Sequence, residues 1–324
     1  MIDLKLSRLA FSVYIGIICA FFANHSTAQE YPNKLIRFVV PTTPGSSNDI
    51  AARTVGQEMS RILGHPIIVE NKPGADQVIG MEHVAKYAPA DGYTMVIVSV
   101  VGAALLPLIN KNLRFDPLKD LVPVISLGEV KNVLSSSSEF PWKTFLELVT
   151  YAKGNPGKIS YGSSTPSLLY PMVLILRDLG IDASYVPYST GAQYLLAIAR
   201  AEVHMGMTSA TGSLNLGRRV RILAVTGEKR TPPFLEVPTF AELGHPNIRG
   251  LSLSLSVRSV TPKAIFDKLH AAASRALQQP EVKTVFERNT MEVTNDTSEA
   301  AARRLAEEVK FFVDIAQKIE IPSQ

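Results

Sequence analysis

Between residues 35 and 98 the chain alternates short apolar runs with stretches of helical period, and this alternation narrows the possible folds more than any other feature. Residues 35–40 read as a strand. The next segment places Ala51, Val55, Met59 and Ile62 on one face and stops at Gly64, with Pro66 just beyond. A second strand is expected over 67–70, a turn over 71–75, a short helix over 79–87, a turn at Asp91-Gly92 and a third, buried strand over 94–98. The βαβαβ order calls for a parallel sheet with right-handed crossovers. In such sheets ligands sit beyond the carboxyl ends of the strands, which here are residues 42–48 and 99–102.

The loop Pro41-Thr-Thr-Pro-Gly-Ser-Ser-Asn-Asp49 joins the first strand to its helix. Ser46, with Asp49 three residues on, has the spacing of a capping box, and the small residues leave backbone N–H groups pointing out of the helix start. Unpaired amides and the positive end of the helix dipole favour a carboxylate or phosphate by roughly 0.3–1 kcal/mol. The same pattern also serves an ordinary strand-to-helix connection. Asp49 is either a cap or a general base, and capping suits its place in the first turn.

Residues 121–134 hold two apolar runs with no helix between them, a point at which the chain leaves one domain for another. A second α/β series follows: a helix over 145–152, a strand over 159–161, and a loop over 162–167 feeding a helix that ends at Leu179 before Gly180. Pro171 leaves the start of that helix open. Strands are expected over 185–187, 203–207 and 221–225, and a helix over 192–200. Leu251, Leu253, Leu255 and Val257 alternate with polar positions as in a half-buried strand that returns to the first domain. Amphipathic helices over 262–278 and 298–319 are expected to pack on the first sheet.

The ends and the composition bound the function. Lys5 and Arg8 precede an apolar stretch over 9–23 and the small residues Ser26-Thr27-Ala28, the layout of an export signal cleaved after Ala28. That stretch is shorter than the ~20 residues that span a bilayer. Cys19 is the only cysteine, so the exported chain has no disulfide, thiol nucleophile or cysteine metal site. A formal charge of +4, without a basic run interleaved with aromatics, argues against nucleic acid as a partner.

Enzyme signatures fail. There is no Gly-x-Ser-x-Gly, His-Glu-x-x-His, Walker-type or Gly-x-Gly-x-x-Gly motif, and His65, His83, His204, His245 and His270 lack metal-ligand spacing. No cofactor or metal is expected.

A whole-chain resemblance follows from a series of short motifs: Tyr31-Pro32, Val39-Val40-Pro41, Pro44-Gly45 with Asp49, Val69-Glu-Asn-Lys-Pro-Gly-Ala75, Ile79-Gly80, Asp91-Gly-Tyr-Thr94, Phe115-Asp-Pro-Leu-Lys-Asp120, Tyr151 to Lys158, Tyr161-Gly-Ser163, Val186-Pro-Tyr188, Leu223-Ala-Val-Thr226 and Val237-Pro-Thr239. In number, order and spacing they resemble the Bug-type solute receptors of tripartite tricarboxylate transporters. The resemblance implies a two-lobed α/β periplasmic binding protein, type II-like, in which each lobe is a mixed or parallel sheet flanked by helices and the ligand cleft lies between. Lobe 1 would span 29–128 and 250–324, and lobe 2 would span 129–249. It implies a non-catalytic periplasmic monomer that passes a mono- or dicarboxylate to the membrane components of a tripartite transporter.

The loops at 42–49 and 162–167 would face each other across the cleft, holding the acid by amides, hydroxyls and water. The residues expected to line it are Thr43, Gly45, Ser46, Ser47, Ser99, Gly102, Ser163, Ser164, Thr165 and Tyr188, the last serving either there or in the core or hinge. The chain departs from the pattern at Ser46, Ser47, Asp76-Gln77-Val78, Thr165, Ser167, Pro171 and Thr208, and in lacking aromatics over 251–257. Asp76 would either disfavour a second carboxylate or be a solvated loop acid. Two rivals stand beside the receptor: an exported hydrolase with a reactive serine, and a receptor that feeds a signalling partner.

Overall fold

Strands β1 (Ile36–Val40), β2 (Ile67–Asn71) and β3 (Thr94–Ser99) form the parallel sheet the sequence calls for, with Phe38 opposite both Val69 and Met95. The computed structural model describes residues 31–110 and 112–318; the expected export signal, with Cys19, lies outside the described residues. The parallel trio is only half of its sheet. The strands β10 (Leu251–Arg258), β4 (Leu121–Val130) and β11 (Met291–Val293) extend it by antiparallel pairing in the order β11-β4-β10-β3-β1-β2.

A second set of strands lies between. Strand β5 (Asn132–Ser137) is flanked by antiparallel β8 (Gly206–Ser209) and β9 (Val220–Val225), while β6 (Ile159–Ser163) and β7 (Ala183–Pro187) pair in parallel and a bridge from Tyr161 to Met205 links the two groups. The two apolar runs around 121–134 are therefore strands of different sheets, β4 and β5, separated by Lys131 alone. The chain returns to the large sheet between β9 and β10.

The helices are α1 (Ser47–Leu63), α2 (Val78–Glu82), α3 (Val100–Ile109), α4 (Phe145–Gly154), α5 (Pro166–Leu179), α6 (Gly191–Ala199), α7 (Ala210–Leu216), α8 (Lys263–Leu277), α9 (Pro280–Arg288) and α10 (Ser298–Lys318). Helix α1 ends as its sequence directs: Gly64 takes the left-handed conformation at φ 69° and its N–H reaches the Ser60 carbonyl at 3.0 Å. Helix α5 begins at Pro166, whose fixed φ suits a first turn, and Pro171 is carried inside the helix. Helices α3, α7 and α9 and strand β11 were not anticipated. Helix α3 is apolar almost throughout and so has no polar stripe to reveal its period, and α7 is two turns long with a glycine inside.

Helix α8 packs against α1 and β4, and α10 against α3 and β4, so the large sheet carries helices on its faces. This corrects the expectation for β10. The alternating serines 252, 254 and 256 are buried like the leucines between them, because the strand is central and covered on both sides. They find partners there: the Ser254 hydroxyl donates to the Val98 carbonyl at 3.3 Å, and that of Ser252 donates to the Glu308 carboxylate.

Candidate ligand-binding cleft

At the carboxyl end of β1 the chain turns through Thr43 and Gly45, the latter at φ 81°, a conformation glycine takes without strain. Ser46 caps α1, its Oγ accepting the Asp49 N–H at 3.3 Å and contacting Thr42 Oγ1 at 2.7 Å. The capping box is completed one residue early, with Asp49 Oδ2 accepting the Gly45 N–H at 2.9 Å. Arg53, one turn on, pairs with Asp49 at 3.0 Å, and Asn71 Nδ2 donates to both Asp49 Oδ1 (2.9 Å) and the Thr42 carbonyl (3.1 Å). Burial pushes the Asp49 carboxyl up, but the hydrogen bonds from Arg53, Gly45 and Asn71 outweigh it and hold the group below the usual range. Asp49 is a neutralised staple of the loop and not a base. The amides of Ser47 and Asn48 keep no acceptor among the described residues.

The carboxyl end of β3 repeats the device. Ser99 caps α3, its Oγ accepting the Gly102 N–H at 3.2 Å and donating to Gln77 Oε1 at 2.9 Å. A Cβ on Gly102 would lie 3.1 Å from that Gln77 oxygen, so glycine there keeps the amide in place.

From the other sheet, Ser209 caps α7 and accepts the Gly212 N–H at 3.2 Å. Thr165 precedes α5 and its hydroxyl lies 2.8 Å from Ser167 Oγ. Asn132 opens β5; it is 2% exposed, and its Nδ2 donor has no partner.

These ends meet. A cleft of about 210 Å³ is lined by Thr42, Ser47 and Asn48 at α1, Gln77 just before α2, Ser99 at α3, Ser167 and Leu168 at α5, Ser209 at α7, and Val130, Asn132, Leu251 and Leu253 where the chain passes between sheets. The starts of three helices of ten or more residues, α1, α3 and α5, thus contribute to one cavity, each worth roughly 0.3–1 kcal/mol to an anion. Among the described residues no charged side chain lines it.

Of the residues the sequence singled out, Ser47 and Ser99 line this cleft. Thr43, Gly45 and Ser46 shape the loop beside it, and Gly102 anchors the Ser99 cap. Ser163 is buried, its hydroxyl donating to the Thr165 carbonyl at 2.8 Å and accepting the Thr165 N–H. Ser164 sits next to Gly191, and Tyr188 packs on Tyr194 with ring centres 5.7 Å apart while its N–H bonds the Ser163 carbonyl. Neither of the last two is among the cleft lining. Sequence reasoning named Gln77 only as part of a departure from the family pattern and passed over Asn132 and Ser209; a Ser-x-x-Gly spacing shared by Ser99 and Ser209 was the available signal for the last of these. Among the described residues no group of His, Cys, Asp and Glu is arranged to hold a metal ion.

Two lobes of mixed α/β sheet with helix starts gathered on a shared cleft define a periplasmic binding-protein fold. The family model of the tripartite tricarboxylate transporter family receptor matches residues 51–321, and the chain belongs to that family of periplasmic solute-binding receptors. A Cupriavidus necator relative, the UPF0065 protein in the gbd 5′ region, is 34% identical over 297 residues, spanning 90% of this chain and 89% of the relative. Among solved structures, R. palustris Rpa4515 with adipate has a TM-score of 0.77 at 27% identity, covering 89% of this chain and 98% of that one. MatC from Rhodopseudomonas palustris with bound malate has a TM-score of 0.73 at 27% identity, covering 88% and 99%.

Proposed function

We propose that the protein captures a small carboxylate in this cleft and delivers it to the membrane components of a tripartite transporter. One observation carries the reading: Asn132, which lines the cleft, keeps a buried side-chain amide donor with no partner, and among the described residues no charged side chain shares that lining. A buried donor left unsatisfied costs about 1–3 kcal/mol, and a ligand oxygen would remove that cost. The acids in the two similar structures, adipate and malate, support the same ligand class. The proposed lobes are 29–128 with 250–324 and 129–249, hinged where β4 runs into β5 and where β9 returns to β10, and closure would bury the acid. Export with cleavage after Ala28 and action as a monomer complete the proposal.

The reading is of a binder and not a hydrolase. A serine–histidine contact does occur, Ser160 Oγ to His204 Nδ1 at 2.8 Å, but neither residue lines the cleft. The same Nδ1 accepts the Ser160 backbone N–H at 3.1 Å, so the ring staples β6 to the chain before β8. Native mass spectrometry of protein purified without refolding tests the proposal: a bound organic acid, lost on mild unfolding, is expected. Absence of any such acid, together with an unmoved melting temperature across mono- and dicarboxylates, would overturn it.

A further inference from the structure

Building on the acid-receptor reading, we propose that Gln77 sets which acid the cleft accepts, by filling its floor with a side-chain amide held in place by Ser99. Gln77 holds φ 82°, in a turn that also contains Gly74 at φ 124° and Ala75 at φ 45°. Glycine takes that backbone conformation freely, whereas a residue with a Cβ is strained there. The side chain kept at this strained position is one of the cleft-lining groups.

The amide is oriented. Ser99 Oγ accepts the Gly102 N–H and spends its own proton on Gln77 Oε1 at 2.9 Å, which fixes the oxygen toward Ser99. Gly102 leaves the space the amide needs. Gln77 is half-buried and lines the cleft, and its Nε2 has no protein partner among the described residues, which leaves its two N–H groups for a ligand. They supply a neutral donor in a cavity of only about 210 Å³, below the roughly 300–1,000 Å³ of pockets that take drug-sized ligands. That combination selects short acids carrying an oxygen next to the carboxylate, such as lactate or malate, over longer diacids such as adipate.

Isothermal titration of the wild type, Gln77→Gly and Gln77→Glu with lactate, malate, succinate and adipate tests this. The wild type is expected to prefer lactate or malate to adipate. Gln77→Gly should lose about tenfold on the preferred acid, the scale of one hydrogen bond to a charged group, and move adipate up the ranking. Gln77→Glu, of the same shape but anionic, should weaken every acid by at least about tenfold. Glycine suits the backbone here, so the ligand-free melting temperature of Gln77→Gly should stay level or rise; a purely structural role would lower that temperature and leave the ranking alone. An unchanged ranking in Gln77→Gly, or malate binding to Gln77→Glu at wild-type strength, would overturn the assignment while leaving the acid-receptor reading intact. A wild type that binds none of the four acids and carries no other would overturn the acid-receptor reading itself, and the role of Gln77 with it.

Discussion

Ser99 and Ser209 hold equivalent posts on the two sheets: each caps a helix by accepting the N–H of a glycine three residues on, at 3.2 Å in both cases, and each lines the same cleft. Among the described residues no cationic side chain joins them in that lining.

Asn132 gives the most direct test of the cleft. Replacing it with Ala removes a buried donor that has no partner, so the ligand-free protein should be no less stable. The melting shift produced by the bound acid should shrink, with affinity down about tenfold or more, since a hydrogen bond to a charged group contributes about 1.5–3 kcal/mol. Asn132→Asp should abolish the shift. Scanning fluorimetry with and without the acid reads both, and a full shift in Asn132→Asp would exclude the residue from the site.

Glu308 predicts the pH dependence of stability. Burial on α10 raises its carboxyl to about 7; the Ser252 hydroxyl, Arg304 and Arg249 lower it, and the neighbouring Glu129 carboxylate raises it further. Between the unfolded value near 4.5 and about 7 the folded chain keeps a proton that the unfolded chain releases, so stability falls as pH rises through that window. The penalty at pH 8 is on the order of 3 kcal/mol. Glu308→Gln should therefore unfold at higher urea than the wild type at pH 8, and the two should converge below about pH 4.5. A variant less stable at both ends would contradict this.

Removing Arg53 should loosen the loop at α1. Its side chain is half exposed, so Arg53→Met should cost on the order of 1 kcal/mol and not the larger penalty of a sealed pair. The Asp49 carboxyl would rise, leaving a less compensated negative charge beside the amides of Ser47 and Asn48. Acid affinity should fall more than stability does. Titration at pH 7 and urea unfolding of the same variant separate the two effects.

Gly212→Ala probes the cap on the other sheet. The added Cβ would lie 2.7 Å from Ser209 Oγ and 2.9 Å from Leu195 Cδ1, so the cap or the leucine must move. A loss of about 1–3 kcal/mol is expected in urea unfolding, with weaker acid binding. A variant with wild-type binding would remove the α7 start from the site.

The sequence by itself determined the parallel trio β1–β3, the amphipathic α1, α8 and α10, and the strand-to-helix loop at 42–49, because each rests on a short-range period or on local cap and turn chemistry. It also carried the family motifs. It did not show that the serines of β10 are buried, since alternation cannot tell a half-exposed strand from a central one covered on both sides. The cleft was legible as a place and not as a residue set. The loops at 42–49 and 162–167 both reach it, through Ser47, Asn48 and Ser167, while Ser163 turns into its own loop and Tyr188 onto Tyr194. Asn132 and Gln77 join the site from distant points in the chain. Only the crossing of the chain between two sheets brings them into the lining of one cleft, and such long-range placement leaves no periodic trace in the local sequence.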